Sequence, residues 1–403
     1  MKSTKMSSRQ NTLGENILYR ISGFILFLAM VSACNKTENL GKADASVVSK
    51  ELVKSSKSLI IPIDSLTVNR STQLVHYQDS KDWLFNLNRS SNEIQMYDLK
   101  DKSLHKRLKF PVEGNKGVGR IFSFHIHNLD SIFLFQQFST DIYLTDTSQS
   151  IKNKITVQVP EMHTPPFVHS TYFSSPVVVI ADALVVKTRP ADDYKEITNE
   201  VLSKRHLTYS INLNNGETKL LNHKYPNDYL EDGYKLFDFS FAKGIDRWVY
   251  SFHSDHKLYS SDSMQVGLTA ALSKSKYING FQNFDVFGSR EQHYKYYASA
   301  ANYKSILYDK FKNVYYRFCY PEIEVTSEEE IMKYRFMPKL FSILILDSEL
   351  NVIGETLFSK DKFLSDNAFI TEEGIYLSKN HPDNPELKED YLSFALFELM
   401  DID

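Results

Sequence analysis

Apolar and polar residues alternate in short runs along most of this chain, and Asn, Asp, Gly and Ser punctuate them. Trp83-Leu-Phe-Asn-Leu87 is followed by a polar turn and by Glu93-Ile-Gln-Met-Tyr-Asp98; a turn at Leu99 to Ser103 then leads to Leu104 to Phe110. Period-two alternation bounded by turn residues predicts half-buried strands. The same order returns at Ser131 to Phe135, Asp141 to Thr145 and Ile151 to Val159, and again at Ala183 to Lys187, Leu207 to Leu213 and Glu217 to Leu221. Later copies begin at Arg247, Asn313 and Gly374. Candidate innermost strands precede most copies: Ile121 to Ile126, Pro176 to Ile180, Leu236 to Phe241, Tyr296 to Ala300 and Ala368 to Ile370. A spacing of roughly 50 to 65 residues is somewhat long for a propeller blade of about 40 to 50. Six units of four strands account for the pattern, which predicts an all-β fold, a six-bladed β-propeller with short helical insertions.

A ring of such units needs a latch. The last unit offers Ala368 to Ile370, Gly374 to Ser378 and Tyr391 to Leu399, with no outer strand before Asp403. The isolated run Leu59-Ile-Ile-Pro-Ile63 can supply it, and Pro62 suits a strand end. Residues 58–403 are therefore expected to form the propeller domain. A pair of β-sandwiches would need a mid-chain linker, and no Pro/Gly/Ser-rich boundary stands there.

Ahead of that domain the pattern changes. Lys2, Lys5, Arg9 and Arg20 precede the apolar run Ile21 to Ala33. A helix of that length reaches only about 20 Å, short of a hydrocarbon core of about 30 Å, so residues 1–33 read as a secretory signal rather than an anchor. The run ends in Val31-Ser32-Ala33-Cys34, which resembles a bacterial lipobox with Cys34 as the lipidated N-terminus of the mature chain. Acyl chains contribute about 0.8 kcal/mol per buried methylene and hold a protein stably at a membrane. Asn35 after the cysteine points to the outer membrane. The polar stretch to residue 57 reads as a flexible tether, because it offers too little apolar surface to offset ordering entropy.

Charge and cysteine content narrow the function. The chain carries −3 overall, and loss of the leader removes four basic residues and one acidic residue, leaving −6. That balance gives no basic footprint for nucleic acid. With Cys34 acylated, Cys319 is the one cysteine left, so no intrachain disulfide can form. Aromatics make up 13% of the chain, in keeping with a strand-rich core. Lipobox and strand pattern together resemble a group of uncharacterised Bacteroidota-type envelope lipoproteins with a six-bladed propeller-like domain. The resemblance implies class and location, and it supplies no activity or site.

Enzyme signatures are absent from the sequence: no phosphate loop, no Gly-x-Ser-x-Gly elbow and no His-Glu-x-x-His. Gly114-Asn-Lys-Gly-Val-Gly119 leads into a strand rather than a helix, so it reads as a connection. His125 and His127 share a strand face without a third metal ligand, and His253 and His256 fall in a hairpin turn. Cys319 reads as a buried hydrophobe. No cofactor or metal is expected.

Three excursions follow second strands, at Thr188 to Lys204, Tyr320 to Pro338 and Asn380 to Asp390. Helices are predicted over Asp192 to Ser203 and over the segment that Thr326 or Ser327 caps. Insertions gathered on one face of a repeat array mark a binding face. Arg89, Arg189, His253, Arg317 and Tyr320 lie at the same strand ends and are the candidate ligand residues, suited to an anionic or sugar-like group. The expected function is a lipid-anchored, non-enzymatic module that binds an envelope protein or glycan. The alternative is a propeller hydrolase or lactonase with a tunnel cation, for which Asp182, Asp238 and Asp285 are the candidate ligands.

Overall fold

In the computed structural model, residues 49–168 and 175–402 are described. The leader, Cys34 and the tether up to residue 48 lie outside the described residues. Strand β1 (Lys50–Pro62) is followed by four antiparallel sheets, each of four consecutive strands. They are β2 (Leu74–Gln78) to β5 (Ser103–Lys109), through β3 (Asp82–Asn88) and β4 (Glu93–Asp98). Next come β6 (Ile121–Asn128), β7 (Ser131–Gln136), β8 (Asp141–Thr145) and β9 (Asn153–Thr156). The third sheet has β10 (Val178–Ile180), β11 (Ala183–Lys187), β12 (Thr208–Asn212) and β13 (Thr218–Leu220). The fourth has β14 (Phe239–Lys243), β15 (Trp248–Phe252), β16 (Lys257–Ser261) and β17 (Thr269–Leu272).

The remaining strands are β18 (Asn302–Asp309), β19 (Val314–Tyr320), β20 (Ser342–Leu346), β21 (Val352–Leu357), β22 (Leu364–Thr371), β23 (Gly374–Ser378) and β24 (Tyr391–Asp401). With β1 they form one sheet in the order β18-β19-β20-β21-β1-β24-β23-β22. Its two halves meet at a single parallel pair, Lys50 with Gly354. A Cβ on Gly354 would stand 2.0 Å from the Lys50 carbonyl oxygen, so only glycine admits this approach. In contrast, β1 and β24 pair antiparallel from Lys50–Asp401 to Pro62–Tyr391, with a bulge between Lys54 and Ser58.

Three expectations are corrected here. Residues 50–57, read as tether, are strand; Lys- and Ser-rich as they are, they bury Leu52 and leave most other positions to solvent, as an outer strand should. Tyr296 to Ala300, read as an inner strand, belongs mostly to a helix, and the inner strand of that unit is β18. The central strands are not half-buried either: β3, β4, β15, β20 and β23 are buried at nearly every position, because other sheets cover both their faces.

Apolar clusters fill the spaces between successive sheets. Phe85 and Trp83 meet Phe124 and Leu134; Phe133 and Phe135 meet Leu184 and Tyr209; Val185 and Leu207 meet Phe239 and Tyr250. Val249 and Leu258 meet Tyr303 and Tyr315, and Tyr316 and Ile343 meet Ile375 and Phe397. The last cluster joins Phe369 and Phe394 to Leu74, Leu84 and Tyr97 of the first sheet, with Leu59 and Ile61 of β1 included. Polar links accompany the packing. Gln73 donates to the Phe124 carbonyl at 2.6 Å, Ser240 Oγ accepts from Ile306 N–H at 2.8 Å, and Asn367 exchanges two bonds with the Ser71 backbone. Gly216 has φ +74°, and a Cβ there would sit 2.0 Å from Thr156 O, so the predicted Asn214-Asn215-Gly216 turn needs its glycine twice over.

Among the described residues, three α-helices occupy connections: α1 (Asn199–Ser203), α2 (Arg290–Ser299) and α3 (Glu328–Tyr334). Thr198 caps α1, and Ser327 Oγ caps α3 by accepting from Glu330 N–H at 3.1 Å. Ser289 and Gln292 form a capping box that starts α2.

Candidate functional site

The connections between second and third strands emerge at the same sheet ends as those leading from one sheet to the next. Between them they enclose a cleft of about 650 Å³. The β11–β12 connection supplies Arg189, Asp192 and Tyr194, and the β19–β20 connection supplies Arg335 and Phe336. The link before β14 adds Phe237 and Asp238, and the link before β18 adds Tyr294, Tyr296 and Tyr297 from α2. His253 and Lys304 also line it.

Asp238 organises the deeper side. Its carboxylate accepts from Lys187 Nζ at 2.7 Å and from the Arg189 guanidinium. Burial alone would raise this carboxyl, but Arg189 and Lys187 outweigh it and hold the group well below the usual carboxylate range. Lys187 is 2% exposed and also donates to the Phe239 carbonyl; burial pushes its ammonium down to about 8 against the pull of Asp238. Arg189 lies over the Phe167 ring at 3.6 Å. His253 is buried, and that burial takes its imidazole down to about 3, so it is neutral at ordinary pH. Asp192 is gripped by Arg205 through both oxygens, with Arg205 Nε at 2.6 Å.

The outer wall is aromatic and cationic. Tyr334 of α3 packs with Ala298 of α2, which delivers Arg335 to a point 3.9 Å above the Tyr294 ring. Arg335 and Arg290 hold the Tyr294 phenol below its usual range. Lys304, half-buried on β18, has no hydrogen-bond or ion-pair partner among the described residues. Both carboxylates of the cleft are thus already neutralised, whereas Lys304 and Arg335 make no ion pair among the described residues, although the charge of Lys304 reaches the Asp366 carboxyl. The cleft is set to receive negative charge beside flat apolar surface.

The expected ligand residues divide. Arg189 and His253 meet in this cleft. Arg317 does not: it is 0% exposed and donates to Ser251 Oγ at 2.8 Å and to the carbonyls of His256, Ser273 and Asp255 at 3.0, 2.9 and 2.6 Å. Tyr320 packs against the core and shares a 2.5 Å bond with Ser365 Oγ. Arg89 lies elsewhere, donating to the Phe122 carbonyl at 2.6 Å beside a small recess of about 110 Å³. Of the three excursions, Asn380 to Asp390 contributes nothing to the cleft lining.

The three aspartates considered for a tunnel cation do not converge. Asp182 sits exposed in the β10–β11 turn, and Asp285 lines a separate recess and caps Phe287 N–H at 3.0 Å. Asp361, His381 and Asp383 are the candidate metal group among the described residues. There, however, His381 Nδ1 accepts from Asp383 N–H at 3.2 Å, and Lys333 Nζ holds Asp383 at 2.5 Å. Asp383 is thus already neutralised, whereas His381 Nε2 and Asp361 Oδ1 are buried without a hydrogen-bond partner. His125 is half-buried and His127 exposed on β6, apart from the cleft.

Sequence reading missed Lys304, Arg335 and the α2 tyrosines. One signal was present: Ser289 with Gln292 three residues later is a helix start, and it placed Tyr294 to Tyr297 on a helix rather than a strand.

Residues 49–357 match the family named Domain of unknown function (DUF4221), so the chain belongs to that family. It is similar to a crystal structure of a DUF4221 member from Bacteroides vulgatus, at 22% identity and TM-score 0.78, over 88% of this chain and 99% of the other. It is also similar to a Bacteroides fragilis protein whose name marks it as exported, at 10% identity and TM-score 0.50, over 90% and 98% of the two chains. These likenesses show the fold. No curated protein matches the sequence significantly. No helix among the described residues is long and apolar enough to cross a membrane.

Proposed function

We propose that this chain is an envelope lipoprotein whose domain is a six-bladed β-propeller closed by β1, and that it binds a protein or glycan without transforming it. The pairing of β1 with β24, and the cluster that joins the last strands to the first sheet, support the closed ring. The lipobox at Cys34 supports anchoring, Asn35 after it supports the outer membrane, and the likeness to a protein named for export agrees with an envelope location.

The observation that carries the binding role is the cleft on the insertion-bearing face. Its acids are spent on internal ion pairs and its histidine is neutral and buried, which leaves Lys304, Arg335 and the open rings as recognition groups. Pockets of this size with apolar walls and a few polar groups are typical ligand sites. Trimming Asp192 to Ser203, or Thr326 to Tyr334, should diminish recovery of an envelope partner while circular dichroism stays unchanged. Full recovery by both trimmed proteins would remove the reason for placing binding on this face.

A further inference from the structure

The cleft's unpaired charges and its rings point to a narrower ligand than "protein or glycan". We propose that it takes an acidic saccharide, with a sugar ring against the α2 tyrosines and the sugar's carboxylate paired with Lys304 and Arg335. This rests on the reading of the cleft as a binding site.

Three observations carry it. First, Lys304 lines the cleft half-buried with no hydrogen-bond or ion-pair partner among the described residues, and its influence on the Asp366 carboxyl leaves its ammonium donors open to an anion. Arg335 stacks on Tyr294 and has a buried Nε without a hydrogen-bond partner, so its fork is positioned but not neutralised. Second, Tyr297 is 44% exposed and Phe336 59% exposed, and they offer open ring faces at the rim. The C–H-bearing face of a pyranose lies well on such rings, and the Tyr297 hydroxyl can bond sugar hydroxyls, those of Tyr294 and Tyr296 being taken by Arg290 and the Gln282 carbonyl. Third, Asp238 and Asp192 stand in the same cleft. Held by Lys187, Arg189 and Arg205, their carboxylates keep acceptor oxygens for hydroxyl donors. The two free cations stand on separate elements, β18 and the turn after α3, rather than in the convergent cage that a phosphate uses. The pattern therefore matches a ligand with one negative charge per ring and many hydroxyls.

The test is titration calorimetry of the full chain in detergent with trigalacturonate and with its carboxyl-reduced counterpart, trigalactose. These probes share ring and linkage and differ in the carboxylate. The acidic trimer should bind at least about tenfold more tightly than the neutral one, since a charged hydrogen bond contributes that much. Lys304→Met should abolish the difference and Lys304→Arg should retain most of it, with circular dichroism checking both folds. Tyr297→Ala should weaken both trimers. Equal binding of the two trimers would overturn the carboxylate anchor and leave the cleft in place. Failure of both trimers, or tighter binding of a nucleoside monophosphate than of the acidic trimer, would overturn the saccharide. Partner recovery by the insertion-trimmed proteins then judges the binding face separately.

Discussion

The guanidinium carbon of Arg317 lies 3.3 Å from the centre of the Tyr303 ring, and neither side chain reaches solvent. Arg317 comes from β19 and Tyr303 from β18, and the acceptors it satisfies lie on β15, in the β15–β16 turn and just beyond β17. The residue joins the fourth sheet to the strands that follow. Tyr303 answers by bonding its hydroxyl to His256 Nδ1 at 2.8 Å and accepting from Ser275 N–H at 3.0 Å.

Arg317→Met should therefore act on stability and not on ligand binding. It strands several buried carbonyls without donors, and breaking a buried charged network costs about 3–5 kcal/mol. Urea unfolding should show a loss of that order. A variant as stable as wild type would mean that those carbonyls find water instead.

Gly354 offers a finer test of the β1 latch than deletion does. Gly354→Val drives a branched side chain into the Lys50 carbonyl and should pry the start of β1 away from β21. Deleting Lys50 to Pro62 should do more, because it also removes the buried Leu52, Leu59 and Ile61, each contributing about 1.5–3 kcal/mol. Removing residues 35–48 should leave the thermal midpoint unchanged. Equal midpoints for all three variants would contradict closure by β1.

Acid should weaken the protein before its carboxylates titrate. Burial holds the His253 imidazole at about 3 in the folded chain, against an ordinary 6.5. Between those values the unfolded chain binds the extra proton, so stability falls as pH drops from about 6.5, by up to about 1.4 kcal/mol per unit. His253→Gln removes that contribution. Its unfolding free energy, followed from about pH 7 to pH 5, should decline less steeply than that of wild type, and parallel curves would show that His253 is not desolvated.

Much of the architecture was legible because strand pairing leaves a local mark. The runs at Glu93 to Asp98, Ala183 to Lys187 and Gly374 to Ser378 coincide with β4, β11 and β23. The insertions announced their length, and two of three do line the cleft. What stayed hidden depends on long-range placement. Arg317 at a strand end looks exposed until three separate segments bring it acceptors, the Ser251 hydroxyl from β15 and carbonyls from the β15–β16 turn and from beyond β17. Lys304, one lysine among many, becomes distinctive only once it is seen to line the cleft without an ion-pair partner among the described residues. The Lys- and Ser-rich opening of β1 reads as tether because its partner, β24, lies at the other end of the chain.

Lipidation has its own test. Cys34→Ser should lose incorporation of a fatty-acid analogue and shift the protein from the membrane to the soluble fraction. Equal labelling of mutant and wild type would contradict the lipobox reading.

The central claim is that the cleft between the insertions binds a ligand. A carbohydrate array probed with the wild-type chain and with a Tyr297→Ala/Arg335→Gln double variant tests it most directly. Both positions are partly exposed, so the fold should survive the change. The account predicts wild-type signal concentrated on acidic glycans, strong salt dependence, and its loss in the double variant. An identical pattern from both proteins would contradict it, because binding would then lie elsewhere on the surface.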